Sequence, residues 1–145
     1  MSVDAMNDRL IDAYRRERLS FTQYILQATP YAGPADRSML ERVQAIAGAE
    51  AKSLDGFADY LADNRVIVPF LGAFPSVFTN YNFIAVRRLL PQLATDQARG
   101  LAALERDALA SPPGDARTWL ERLANDKRMH MAELTKLMDR TSGSP

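Results

Sequence analysis

The sequence predicts an all-α protein, a four-helix bundle of up-down-down-up sense. Three observations carry this. Apolar residues recur every third or fourth position through four long segments, proline and glycine interrupt that rhythm between them, and two of the three connections are short while the middle one is long. At 145 residues with 47% hydrophobic content, the chain suits one domain with a sizeable core.

The first helix is expected over 3–29, on a face formed by Val3, Met6, Leu10, Ala13, Phe21, Tyr24 and Ala28 with Glu17 filling the gap. Pro30 and the Gly33-Pro34 turn stop it. The second, over 36–63, can be capped by Asp36 or Ser38 and places Glu50 midway along a stripe of Leu40, Val43, Ala47, Leu54, Phe57 and Leu61, with Ser53 on the same face. The stretch 65–78 is broken by Pro69, Gly72 and Pro75 and shows no helical period. A connection so long and so apolar is expected to cross the length of the bundle against its surface, or to offer a partner-binding patch over 66–78. The third helix, over 79–110 with Thr79 or Asn80 as cap, carries Gln97 on its apolar seam beside Asp96, and Pro91 should kink it or mark a late start. The fourth, over 115–139 with Asp115 as cap, places Lys127 and the only histidine, His130, on a seam of Leu120, Leu123, Leu134 and Leu137. A tail at 141–145 is expected to be disordered.

Eighteen basic residues balance eighteen acidic ones, so no overall field draws the chain to nucleic acid or an anionic membrane. Without cysteine there is no disulfide, thiolate metal site or cysteine nucleophile. The acidic opening lacks a secretory signal, and the longest greasy piece is too short to span a bilayer, so a cytoplasmic protein is expected. No nucleotide-binding glycine loop and no nucleophile motif is present, and no catalytic residue is assigned.

Each helix thus brings one polar group to mid-height: Glu17, Glu50 with Ser53, Gln97 or Asp96, and Lys127 with His130. Buried charges must neutralise one another or bind something. At these residues the chain resembles the ferritin-like superfamily of bacterioferritins and rubrerythrins, along nearly its whole length. The resemblance implies a metal-ligating Glu17 followed seven residues later by Tyr24, a Glu-x-x-His position on the second helix at Glu50 and Ser53, a third-helix ligand at Gln97 or Asp96, and a second Glu-x-x-His position at Lys127 and His130.

The departures are substantial. Ser53 is a poor iron ligand, Gln97 is uncharged, and Lys127 puts a cation where a ligand should be. Two readings stand. Glu17, Glu50 and His130 can form a degenerate centre, at most a single iron, manganese or zinc site or a weakened di-iron site, with an oxidoreductase-like role. Alternatively, Lys127 lies between Glu17 and Glu50 with His130 and Gln97 adding hydrogen bonds, and the chain is a metal-free interaction or dimerisation module. A homodimer is expected on either reading.

Overall fold

The seams written in the sequence do form helices. A computed structural model describes residues 2–142 as α1 (Val3–Arg18), α2 (Phe21–Ala28), α3 (Arg37–Asp63), α4 (Val86–Leu109) and α5 (Asp115–Ser142). The described residues hold no strand, only a single bridge between Tyr31 and Ala85. No helix among them is long and apolar enough to cross a membrane.

The expected helix over 3–29 is two helices. Leu19 ends α1 by returning its N–H to the Arg15 carbonyl, and Ser20 starts α2 by accepting the Gln23 N–H on its hydroxyl at 3.3 Å. Arg15, Arg16 and Arg18 sit in the last turn of α1, where positive charge suits the helix dipole. The apolar face continues across the break, which is why spacing alone reads it as one helix. Termination falls as expected, with Thr29 in the left-handed region (φ 49°) just before Pro30.

The third expected helix starts later than 79. Residues Ser76–Tyr81 form a 3₁₀ turn in which the Thr79 hydroxyl donates to the Ser76 carbonyl at 2.7 Å, so neither Thr79 nor Asn80 caps α4. The first amide of α4, on Val86, is satisfied instead by the Tyr31 carbonyl at 2.8 Å. Pro91 lies inside α4 on its exposed side, where the carbonyl it leaves free can meet water. Asp36 precedes α3 but spends its carboxylate on Arg87 at 2.8 Å rather than on a cap, and Asp115 is the first residue of α5 rather than the residue before it. Thr141 and Ser142, expected in a disordered tail, continue α5, and 143–145 lie outside the described residues.

The core divides into two apolar clusters. One joins α2 (Phe21, Tyr24, Ile25) to the first turns of α3 (Met39, Val43) and α4 (Leu89, Leu90) and the last turns of α5 (Leu134, Leu137). The other joins α1 (Leu10, Ala13) to the last turns of α3 (Phe57, Leu61) and α4 (Leu104, Ala108) and the first turns of α5 (Leu120, Leu123). Each large side chain so buried stabilises by roughly 1.5–3 kcal/mol. The connection after α3 links the clusters: Val66 belongs to the second, while Phe74 and Phe78 pack on Tyr24 at ring distances of 5.2 and 5.4 Å. Trp119 lies over Tyr60 and Phe57 and against Gly56, closing the second cluster.

Candidate functional site

Between the clusters lies a polar layer to which every helix contributes. The seam that places leucines inside also fixes Glu17, Glu50, Gln97 and Lys127 there, and none is more than 6% exposed. The Lys127 Nζ donates to Glu17 Oε1 at 2.7 Å and to Glu50 Oε1 at 2.9 Å. His130 Nδ1 is 2.6 Å from Glu50 Oε2. An ionised carboxylate can only accept, so the ring carries its hydrogen on Nδ1. The Gln97 amide donates to Glu50 Oε1 at 3.1 Å and to the Thr22 hydroxyl at 2.8 Å. Thr22 in turn donates to Asp96 at 2.6 Å.

The two carboxylates are not equivalent. Burial pushes Glu17 above its ordinary carboxyl range, by more than the Lys127 ammonium pulls it down. Burial acts in the same sense on Glu50, but hydrogen bonds from His130, Lys127 and Gln97, with the lysine charge, hold it below that range. For Lys127, burial opposes the charge and the carboxylates outweigh it, so the ammonium is raised. Both acids touch the same cation, and the donors gathered on Glu50 alone separate them.

Close approach of α4 makes the layer possible. A Cβ on Gly100 would stand 2.9 Å from Lys127 Cε and 3.0 Å from Glu17 Oε2, so a larger residue would press on the ion pair. Gln97 Oε1 is buried without a partner, the cost of turning both amide hydrogens toward acceptors.

Of the residues singled out in the sequence, Glu17, Glu50, Gln97, Lys127 and His130 come together, and three do not fit as expected. Asp96 accepts the Phe21 and Thr22 amides at 3.2 and 2.9 Å, capping α2. Ser53 is only half-buried and donates to Asp126 at 2.8 Å. Tyr24 donates to Asn82 at 2.6 Å, within the apolar cluster rather than the ionic layer. Thr22 is the member that sequence reasoning missed. Its signal is the Ser20-Phe21-Thr22-Gln23 pattern, a capping-box spacing that places Thr22 in a first turn facing α4.

The layer does not fit a metal ion. The ammonium stands on both carboxylates where a divalent cation would have to bind, and one imidazole nitrogen is committed to Glu50. Among the described residues, no group of three or more histidine, aspartate or glutamate side chains is arranged to hold one. No protein-family model matches the chain, and no curated protein or solved structure matches it.

Proposed function

We propose that this chain is a metal-free helical interaction module of ferritin-like, up-down-down-up architecture, in which the Lys127 ammonium occupies the place of a metal and the connection over 66–78 pairs two copies. The observation that carries the reading is the placement of Lys127 Nζ within 2.7 and 2.9 Å of two carboxylates on different helices. The helix directions are supported by the clusters, since α3 and α4 enter at one and leave at the other while α1 with α2 and α5 run the opposite way. Pairing is supported by Ile67 and Phe70, which are 86% and 94% exposed on the connection while Phe74 beside them is anchored on Tyr24. Exposed apolar groups on a braced segment offer area for association at little ordering cost.

Two measurements test this. Elemental analysis of protein purified without chelator should find no stoichiometric iron, manganese or zinc; a stoichiometric metal that disappears in Glu50→Ala overturns the metal-free reading. Light scattering should give a dimer that Phe70→Asp converts to monomer with an unchanged circular dichroism spectrum. A wild-type monomer overturns the pairing.

A further inference from the structure

A crevice of about 170 Å³ opens at the break between α1 and α2 and reaches the buried layer at Glu17. Its wall is built from Arg16, Ser20, Phe78, Arg99 and Gly100. Pockets for drug-sized ligands run roughly 300–1,000 Å³, so this one suits a ligand of a few heavy atoms. Its two cations, Arg16 and Arg99, both have donors to spare. The Nε of Arg16 is buried without a partner, although its other end pairs with Asp107 at 3.1 Å. Arg99, on the exposed side of α4, has no hydrogen bond or ion pair among the described residues.

The acids that share the crevice are already engaged. Asp96 accepts two backbone amides and the Thr22 hydroxyl at the start of α2, so its charge is met by that helix end. Glu17 is bound to Lys127 and is raised by burial toward its neutral form. The unmatched chemistry of the crevice is therefore a pair of guanidinium groups beside a hydroxyl and an aromatic wall. Planar guanidinium donors match a carboxylate better than a spherical anion, and Phe78 suits a short hydrocarbon body.

The geometry points to a binding site for a small aliphatic carboxylate at the α1–α2 break, its head between Arg16 and Arg99 and its chain against Phe78. The site rests on the two guanidinium groups and the crevice and is independent of pairing; it shares with the metal-free reading only the Glu17–Lys127 contact.

Titration of the full chain with sodium propionate, followed by arginine Nε–H resonances in NMR, tests it, with sodium chloride at equal ionic strength as the blank. Saturable shifts of Arg16 and Arg99 are expected, and Arg99→Gln should weaken binding roughly tenfold, the size of one charge-assisted hydrogen bond. Arg16→Lys keeps a cation for Asp107 but removes the Nε–H, and should weaken binding to a similar extent. Shifts that never saturate, an affinity unchanged in both variants, or an equal response to phosphate overturn the assignment.

Discussion

The ionic layer and the apolar clusters that flank it are equally dry, with Lys127 at 2% exposure and Phe57 at 0%, yet they hold the helices in different ways. Apolar burial is proportional to area and indifferent to direction, so the clusters tolerate repacking and small rotations of a helix. The ionic layer accepts only one arrangement, because Lys127 must meet Glu17 and Glu50 together while Glu50 also receives His130 and Gln97. The clusters supply the free energy of association, and the layer supplies helix register.

The largest expected effect separates these two roles. Lys127→Met leaves two buried carboxylates facing each other and should cost about 3–5 kcal/mol in urea unfolding, close to the cost of about 3–5 kcal/mol expected for Phe57→Ala. Only the first should be rescued by a second substitution. Adding Glu17→Leu to Lys127→Met leaves Glu50 paired with His130 and should recover most of the loss, whereas no such partner exists for Phe57. Additive losses in the double variant would mean that the layer is not a coupled unit.

A smaller effect tests the close approach of α4. Gly100→Ala should destabilise by about 1–2 kcal/mol, because the new methyl strikes a pinned lysine stem and outweighs the better helix propensity of alanine. Gly48→Ala, inside α3 with open space around its Cβ, should instead stabilise by roughly 0.5–1 kcal/mol. The same sign for both variants would remove the argument for steric contact at the layer.

The smallest effect is in the pH dependence. Glu50 is held below its ordinary value of 4.5, so the stability it contributes is present above that value and is lost as pH falls through its lower, folded-state value. Lys127 is raised above 10.5, so its contribution is complete below that value and lost as alkali titrates the folded ammonium. Glu17 is raised, and its contribution therefore declines as pH climbs above 4.5. Glu17→Gln should flatten the stability profile just above 4.5 and also weaken the alkaline limb, because the Glu17 charge is foremost among the influences that raise Lys127. An alkaline limb unchanged in Glu17→Gln would assign that limb to another group.

The helix period located the layer well, because a side chain's face follows from its position once the apolar stripe is fixed: Glu17, Glu50, Gln97 and Lys127 all lie on stripes and all are buried. What period cannot resolve is competition between neighbouring polar groups. Asp96 and Gln97 lie side by side, and which one joins Lys127's layer depended on the amides freed by the break at Ser20, a feature outside α4 altogether. Ser53 sits one turn from Glu50 but lies nearer the rim, where Asp126 offers an acceptor. The start of α4 was misplaced for a related reason: its first amide is satisfied by Tyr31, more than fifty residues upstream in the chain, and no local cap marks the spot.

The separation of α1 from α2 has a consequence for how the molecule opens. Beyond Glu17, α1 fully buries only Leu10 and Ala13, with Met6, Ile11 and Tyr14 partly covered, whereas α4 buries nine residues along its length. Its sixteen residues are thus moored by a thin apolar strip, the buried Glu17–Lys127 contact and two partly exposed ion pairs, Arg16 with Asp107 and Arg18 with Asp55, on the far side of a joint that α2 does not need to cross. Amide protons along α1 should exchange ahead of those in the other helices, making the N-terminal segment the molecule's first cooperative unit to detach.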